Sequence, residues 1–343
     1  MKKKPCILLI YTGGTIGMIN DPNSGQLKPF KFECLLDEVP ELRKFNIKID
    51  TYSFDEPIDS SNVQPTVWVK LAKLIEKNYL HYDGFVILHG TDTMAYTASV
   101  LSFMFENLGK PVILTGAQLP IGTVRTDGKE NLITAIEIAA AKCDGKAMVP
   151  EVCIYFEFTL FRGNRTIKVN AEHFRAFSSP NYPSLVSAGV HLKYNKSAIM
   201  GNPSGKFKVH TKLDLNVAIL KLFPGITQAF VESVLSIKNL RAVVLETFGA
   251  GNATSEEWFE KSLNKAIKKG VVILNVTQCN AGKVEQGRYQ TSSQLVRAGV
   301  IGGADLTTEA ALAKLMFLIG NESATSKICS KLALSLRGEL SPV

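Results

Sequence analysis

Short runs of hydrophobic residues, rich in isoleucine, valine and leucine, recur along the chain, and each run ends in glycine or small polar residues. The hydrophobicity within a run is continuous rather than alternating, which is typical of strands buried on both faces of a parallel sheet. The pattern predicts strands at residues 7–11, 85–88, 112–114, 152–158, 217–222, 243–245 and 271–276.

Segments of helical length, with hydrophobic residues at a period of 3.6, separate these runs. The stripe of one such helix, which begins at Pro65, consists of Trp68, Leu71, Ala72 and Ile75. A second helix is expected to end at Gly109, and a third to begin with a capping box at 254–257 and to end at Gly270. Repetition of strand, polar end and helix is typical of an α/β fold, in which ligands bind beyond the carboxyl ends of the strands.

The pattern predicts two α/β domains with mainly parallel sheets, a larger N-terminal one and a smaller C-terminal one. A length of 343 residues favours two domains. Residues 191–211 are polar, rich in lysine and without either period, as in a linker. We therefore expect an N-terminal domain at 1–190, a linker at 191–215 and a C-terminal domain at 216–343.

Composition and charge exclude several classes of protein. Hydrophobic residues make up 45% and charged residues 20%, so the chain is not expected to be disordered. The net charge of +8 comes from scattered lysines without an arginine-rich block, so no nucleic-acid partner is expected. No apolar run is long enough for a membrane span or a signal peptide. These features predict a cytoplasmic protein that does not associate with membranes.

Cysteine and histidine spacing predicts neither disulfides nor a metal site. The six cysteines contain no CxxC pair and are expected to be reduced thiols. The five histidines never fall at the spacing of metal ligands. The chemistry of the chain must therefore be sought among hydroxyl, carboxylate and amine groups.

The first polar strand end, Thr-Gly-Gly-Thr-Ile-Gly at 12–17, admits three interpretations: a phosphate-binding loop, a plain tight turn, or an exposed Thr15 nucleophile. Its spacing matches neither phosphate-binding glycine motif, and no helical pattern follows it. The second, His-Gly-Thr-Asp at 89–92, places a hydroxyl beside a carboxylate. Asp92 is compatible both with a functional carboxylate and with the N-cap of the following helix. For His89, a hydrogen-bonded position in the core is favoured over a catalytic role.

An amino acid with a side-chain amide needs a carboxylate for its ammonium group and N–H and hydroxyl groups for its own carboxylate. The polar strand ends supply this chemistry through Asp59, Ser60, Ser61, Thr91 and Asp92. Lys168, in the polar segment 164–168, is a candidate general base. A threonine hydroxyl needs such a base, and chemistry alone leaves open whether Thr15 or Thr91 is the nucleophile.

Three motifs, TGGTIG at 12–17, DGFVILHGTDTMAYTAS at 83–99 and FRGNRTIK at 161–168, resemble the bacterial-type L-asparaginases, most closely their cytoplasmic type I branch. The similarity continues through residues 59–61, 248–252 and 302–309, so it covers essentially the whole chain. Two threonine motifs in this order are highly specific for that family.

The resemblance implies hydrolysis of L-asparagine to L-aspartate and ammonia, without a metal or organic cofactor. Thr15 then forms the acyl-enzyme, and the second catalytic group consists of Thr91, Asp92 and Lys168. The implied substrate pocket consists of Asp59, Ser60, Ser61, Thr91, Asp92 and the backbone of Ala117.

The resemblance also implies a homo-oligomer, either a dimer or a dimer of dimers. In such assemblies the C-terminal domain of the partner borders each active site, and Asn252 is the residue expected to reach across. Many relatives carry a tyrosine on the segment after the nucleophile, but here Gln26 stands nearest that place. Tyr289 is a candidate for supplying the phenol instead.

A second departure concerns regulation. Some type I relatives are activated by asparagine at a separate site, where an arginine precedes the FGxGN-like segment and a threonine precedes the motif lysine. This chain has Glu246 and Ile167 at those positions, although Cys279 is retained. A carboxylate repels the carboxylate of the effector, so we expect no activation at that site.

Rival interpretations stay open at this point. Glutamine stays a candidate second substrate, because one methylene changes binding by only about 1–3 kcal/mol. An amidase for transfer RNA needs a further N-terminal domain, for which a first strand starting near residue 6 is expected to leave no room. A sensor that binds an amino acid without turnover and a nucleotide-binding module are the rivals from other classes.

Overall fold

The computed structural model describes residues 4–20, 27–29, 39–288 and 290–341, which form two compact units, Met1–Thr211 and Lys212–Val343. The helices of the first unit are α1 (Pro65–Asn78), α2 (Met94–Met104) and α3 (Gly128–Ala140). Its strands are β1 (Cys6–Tyr11), β2 (Met18–Asn20), β3 (Leu27–Pro29), β4 (Lys48–Ser53), β5 (Gly84–Leu88), β6 (Phe105–Glu106), β7 (Val112–Thr115), β8 (Lys142–Cys143), β9 (Lys146–Ala147), β10 (Val152–Phe156), β11 (Thr159–Arg162), β12 (Ile167–Lys168), β13 (Phe177–Ser178), β14 (Val186–Ser187), β15 (Lys193–Tyr194) and β16 (Lys208–Val209).

The main sheet of the first unit has, within the described residues, the strand order β15-β14-β11-β10-β7-β5-β1-β4. Strands β10, β7, β5, β1 and β4 pair in parallel, whereas β11, β14 and β15 add antiparallel pairs. In the register, Tyr11 lies opposite Leu88, and Leu88 lies opposite Thr115. The residues that follow β1, β5 and β7 therefore emerge together at one edge of the sheet.

Helix α1 confirms the predicted stripe, because Trp68, Leu71, Ala72 and Ile75 are its buried positions, together with Val67, and Pro65 is its first residue. Helix α2 ends at Met104, so the predicted end at Gly109 is wrong. The next two residues form β6, which pairs with β16, and this pairing takes the chain out of the helix.

The second unit contains a parallel sheet of order β17-β18-β19-β20 within the described residues. Its strands are β17 (Val217–Lys221), β18 (Ala242–Thr247), β19 (Val272–Thr277) and β20 (Ile301–Gly302). Its helices are α4 (Gln228–Leu235), α5 (Glu257–Lys268), α6 (Gln290–Ala298), α7 (Thr308–Asn321) and α8 (Thr325–Leu332). All seven predicted strands are present, and the predicted α/β fold with a larger N-terminal and a smaller C-terminal part is confirmed.

The predicted capping box at 254–257 is wrong, although the helix that was expected to begin there is present as α5. Glu256 occupies the N-cap without a side-chain hydrogen bond, and the Thr254 hydroxyl accepts from the Glu256 N–H at 3.4 Å. Gly270 follows the end of α5 with a φ of +93°, which suits glycine.

The segment proposed as a linker contributes two short strands, β15 and β16, to the pairing of the first unit. The bounds 1–190, 191–215 and 216–343 stay a prediction. In the described part of the chain, none of the helices combines the length and the hydropathy that crossing a membrane requires.

Candidate active site

Two glycine-containing strand ends and the segment of Ser60 approach one another closely. A Cβ atom on Gly14 would lie 2.5 Å from the Gly90 nitrogen, and a Cβ atom on Gly90 would lie 2.5 Å from the Ser60 hydroxyl oxygen. Gly14 also has a φ of +88°, which L side chains rarely adopt. Glycine at these positions therefore lets the segments that carry Thr15, Ser60 and Thr91 meet at the carboxyl edge of the sheet.

Lys168 connects the hydroxyl and the carboxylate of the second motif. Its Nζ donates to Thr91 Oγ1 at 2.8 Å and to Asp92 Oδ1 at 2.7 Å, across 77 and 76 residues of chain. The Lys168 side chain is only 17% exposed, whereas that of Asp92 is 62% exposed. A partly buried lysine thus contacts a threonine hydroxyl, with a solvent-facing carboxylate on its other side. The candidate catalytic residues Thr91, Asp92 and Lys168 form one contact group.

Ser60 joins the same group through its backbone and its side chain. Its hydroxyl accepts from the Asp92 N–H at 3.3 Å, and its carbonyl accepts from the Thr93 hydroxyl at 2.7 Å. Asp59 is exposed, and its carboxylate accepts from both the N–H and the hydroxyl of Ser61 at 2.9 Å. The three residues 59–61 therefore stand beside the Thr91 motif, with the Asp59 carboxylate held at the surface.

Thr15 occupies a single 3-10 turn, Thr15–Gly17, directly after the glycine pair, and is partly exposed. A Cβ atom on Gly128 would lie 3.1 Å from Ala117 Cβ and 3.3 Å from Ile16 Cγ1. The absence of a side chain at Gly128 therefore lets the turn of Thr15 and the predicted pocket residue Ala117 converge on the start of α3.

Gln118 makes a contact with the Thr91 motif that was not expected from the sequence. The Thr91 hydroxyl donates to Gln118 Oε1 at 3.3 Å, and Gln118 Nε2 donates to the carbonyls of Ala171 and His173, each at 3.2 Å. The Gln118 N–H in turn donates to Asp127 at 3.0 Å. The sequence signal that points to Gln118 is the segment Thr-Gly-Ala-Gln, which follows the third predicted strand. The long amide side chain of Gln118 is the group of this segment that can contact other segments.

Asp127 anchors this strand end. Its carboxylate also accepts from the Leu119 N–H at 3.2 Å and from Asn131 Nδ2 at 3.2 Å. Burial raises the pKa of Asp127, while these N–H donors oppose the rise. The carboxylate serves the backbone beside Ala117 rather than the reacting group.

His89 is a buried structural residue, as its position in the motif favoured. It is 1% exposed, its Nδ1 donates to the Gly90 carbonyl at 2.7 Å, and its Nε2 accepts from the Thr97 hydroxyl at 3.0 Å. Trp68 Nε1 donates to the same hydroxyl oxygen at 3.0 Å. Burial lowers the pKa of His89 to about 4, so the ring is neutral near pH 7. The neutral ring ties the Thr91 motif to α1 and α2.

The free energy of unfolding is expected to fall as the pH drops from about 6.5 to about 4, because the unfolded chain binds a proton on His89 that the folded chain excludes. A shift from 6.5 to about 4 corresponds to about 3 kcal/mol. Urea unfolding at a series of pH values measures this loss, and His89→Gln should flatten the curve. His81→Gln, which removes an exposed histidine, is the matched control and should leave it unchanged. An equally steep curve for His89→Gln would contradict the assignment.

The remaining residues singled out from the sequence belong to the second unit or fall outside the described residues. Asn252, in the second unit, closes a tight turn in which its N–H donates to the Phe248 carbonyl at 2.8 Å. Tyr289 and Gln26 lie outside the described residues. Glu246 is the last residue but one of β18, and its carboxylate accepts from the Thr308 hydroxyl at 2.6 Å and lies 3.6 Å from Lys221 Nζ. No group of three or more potential metal ligands occurs among the residues that the structure describes.

A lysine between a threonine hydroxyl and a carboxylate, at the carboxyl edge of a parallel sheet, is typical of a hydrolase that activates a hydroxyl group. Models of the asparaginase N-terminal domain and of the glutaminase/asparaginase C-terminal domain match residues 6–200 and 216–331. The chain therefore belongs to the asparaginase family.

Individual relatives are similar over the full chain. L-asparaginase 1 of Escherichia coli K12 is 42% identical over 347 residues, which cover 99% of both proteins. The crystal structure of L-asparaginase I from Vibrio cholerae has a TM-score of 0.89 and 40% identity, and the match covers 99% of this chain and 100% of that one. The 60 kDa lysophospholipase of Mus musculus is 40% identical over 97% of this chain, which spans 62% of that protein.

Proposed function

We propose that the protein is an L-asparagine amidohydrolase that works through a threonine acyl-enzyme. The observation that carries the proposal is the contact group in which Lys168 Nζ lies 2.8 Å from Thr91 Oγ1 and 2.7 Å from Asp92 Oδ1. It provides a base, a hydroxyl relay and an orienting carboxylate beside a second threonine, Thr15. Membership of the asparaginase family supports the choice of an amide as the substrate.

In the proposed reaction the Thr15 hydroxyl oxygen attacks the side-chain amide carbon of asparagine, and backbone N–H groups at the strand ends stabilise the oxyanion. The carbon–nitrogen bond breaks, the nitrogen takes up the proton that the Thr15 hydroxyl gave up, and ammonia leaves. A water molecule activated by Thr91, Lys168 and Asp92 then attacks the ester carbonyl. The ester bond to Thr15 breaks, and aspartate is released with the threonine hydroxyl restored.

The proposed pocket recognises the two charges of the amino acid. Carboxylates of Asp59 and Asp92 are exposed and face the solvent, so they are available for the substrate ammonium. Hydroxyl and N–H groups of Ser60, Ser61 and Thr91 suit the substrate carboxylate. The Ala117 backbone completes the lining. These partners recognise the zwitterion and do not require a cofactor.

We further propose a cytoplasmic homo-oligomer, a dimer or a dimer of dimers, in which Asn252 and Tyr289 reach the site of a partner copy. The location is supported by the similarity to a probable cytoplasmic L-asparaginase from Campylobacter jejuni. Sedimentation of the purified wild-type protein measures the assembly. Sedimentation of Asn252→Ala measures whether this residue contributes to it.

Turnover of asparagine is expected to follow a hyperbolic dependence on substrate concentration. Glu246 places a carboxylate, already paired with Thr308 and Lys221, where activated relatives of this family have an arginine. The carboxylate of an asparagine effector therefore has no arginine to bind at this position and is repelled by the carboxylate of Glu246. A reproducible sigmoidal curve, with a Hill coefficient well above one, would contradict this expectation.

The function is tested by ammonia release from asparagine and from glutamine over a concentration series. Selective turnover of asparagine supports the proposal, and equal turnover of glutamine would assign a broader amidase. Aspartate binding without ammonia release from either amide would identify a sensor. A thermal shift caused by ATP and not by aspartate would identify a nucleotide-binding protein.

The nucleophile is tested by stopping the reaction in acid and mapping the ester. A mass increase on the peptide that contains Thr15 supports the proposed acyl-enzyme. The same increase on the peptide that contains Thr91 would exchange the roles of the two threonines. The two peptides separate cleanly, because these positions are 76 residues apart in the sequence.

A further inference from the structure

Tyr11 is the last residue of β1, and its phenol lies directly against the turn of Thr15. The hydroxyl donates to the Gly17 carbonyl at 3.1 Å, and the residue is 1% exposed. Burial raises the pKa of Tyr11 to about 12, so the hydroxyl keeps its proton and remains a donor at neutral pH. The phenol thus holds the last residue of a turn whose first residue is Thr15.

The packing between Tyr11 and Gly17 is as specific as the hydrogen bond. A Cβ atom on Gly17 would lie 2.2 Å from the Tyr11 hydroxyl oxygen and 2.3 Å from its Cζ. The φ of Gly17 lies outside the left-handed region, so an L residue suits the backbone φ there, and the three nearest atoms that oppose a side chain all belong to the Tyr11 phenol. Gly17 is therefore required by the phenol and not by the backbone conformation.

The turn depends on a few bonds, because it is one turn long. The Gly17 N–H donates to the Gly14 carbonyl at 3.2 Å, and the Ile121 N–H donates to the Ile16 carbonyl at 3.4 Å. Tyr11, by contrast, belongs to a central strand of the sheet, where its own carbonyl accepts from the Phe54 N–H at 2.9 Å. The phenol therefore connects a short, weakly bonded turn to a rigid strand.

We propose that Tyr11 is a positioning residue for Thr15: its phenol, fitted against Gly17, fixes the turn from which the nucleophile acts. The inference rests on the proposed function and extends it to a residue that does not touch the substrate. Attack geometry is sensitive to shifts of about 1 Å, whereas the pocket residues at 59–61 and 91–92 belong to other segments. Loss of the phenol contact should therefore reduce acylation and leave binding intact.

The test compares Tyr11→Phe with Tyr155→Phe. Tyr155 is an equally buried phenol of the same hydrophobic cluster, and its hydroxyl donates to Glu130 Oε1 at 2.6 Å rather than to the turn. Tyr11→Phe is expected to lower kcat about 10- to 100-fold, with KM and the Kd for aspartate within about twofold. Ammonia leaves during acylation, so its pre-steady-state release should slow by the same factor. Tyr155→Phe should retain kcat.

Hydrogen exchange measures how firmly the turn is held, independently of enzymatic turnover. Peptides covering residues 12–18 should exchange faster in Tyr11→Phe than in Tyr155→Phe, and Gly17→Ala should show the same acceleration together with a loss of kcat. Unchanged kcat in Tyr11→Phe, or equal losses in both tyrosine variants, would overturn the positioning role alone. Absence of ammonia release from the wild-type protein would instead overturn the proposed function.

Discussion

Replacing Lys168 by methionine should lower kcat for asparagine about 10³-fold, which corresponds to about 4 kcal/mol of transition-state stabilisation. Lys168 Nζ is the group that contacts both Thr91 Oγ1 and Asp92 Oδ1. Without the amine, the hydroxyl has no base to take its proton and the carboxylate has no charge to orient. Methionine retains the length of the side chain, so the partly buried position stays filled. Steady-state ammonia release measures the loss.

The matched control for this variant is Lys142→Met. Lys142 forms a lysine–aspartate pair with Asp83 at the same separation, 2.7 Å, and with a side chain that is 36% exposed. Asp83 precedes β5, so this pair lies at the opposite edge of the sheet from the candidate site. Lys142→Met should keep kcat within about twofold, since this pair lies away from the candidate reacting groups. Equal kcat values in the two variants would show that Lys168 is an ordinary ion-pair partner.

The buried strands of both sheets could be predicted because a continuous apolar run that is too short for a helix and ends in glycine suits a strand covered on both faces. Strand β4 escaped prediction because its sequence, Lys-Ile-Asp-Thr-Tyr-Ser, carries polar residues along an edge that solvent reaches. Strands β14 and β15, of two residues each, exist through pairing, β14 with β11 and β15 with β14, rather than through their own sequence. Edges are thus defined by tertiary contacts, which local patterns do not encode.

The location of the candidate site was predictable for a topological reason. Residues that follow parallel strands share one edge, so Thr15 and Thr91 were expected to meet, whereas Ser60 follows β4, which was not predicted. The proximity of Lys168 to Thr91 is a different matter, because β12, which ends at Lys168, lies outside the main sheet. The sequence offered Lys168 as a candidate base, the family resemblance grouped it with Thr91 and Asp92, and the 2.8 Å contact supplies the physical reason for that grouping.

Contacts made by buried phenols and amides could not be predicted from the sequence. Tyr11 looks like one more hydrophobic position of β1, and its bond to Gly17 depends on the path of the following turn. Gln118 likewise follows a predicted strand, but its amide is oriented by two carbonyls more than 50 residues away. Such residues are identified from the structure and not from the sequence, although they contact the segments that carry the motif threonines.

A fully buried ion pair closes the C-terminal end of the second unit. Lys314 on α7 and Glu339 lie 2.7 Å apart, and both side chains are 0% exposed. Lys314 Nζ also donates to the carbonyls of Leu332 and Leu334 at 2.9 and 2.6 Å. Glu339 accepts from two backbone N–H groups, those of residues 336 and 337, at 2.9 and 2.6 Å. The pair therefore fastens the end of α8 and the C-terminal segment to α7.

Lys314→Met should reduce the free energy of unfolding by about 3–5 kcal/mol, because it leaves the Glu339 carboxylate buried without its counter-charge. At about 2–4 °C per kcal/mol, the Tm should fall by about 10 °C. Lys261→Met is the control: its pair with Glu257 has the same 2.7 Å separation, but the side chains are 71% and 80% exposed, and we expect less than about 0.5 kcal/mol. The double variant Lys314→Met/Glu339→Leu removes both charges and should recover part of the loss, though not all, since the carbonyls of 332 and 334 still lose their donor. Equal destabilisation by Lys314→Met and Lys261→Met would mean that burial adds nothing to this pair, and that the C-terminal segment is held by its apolar contacts instead.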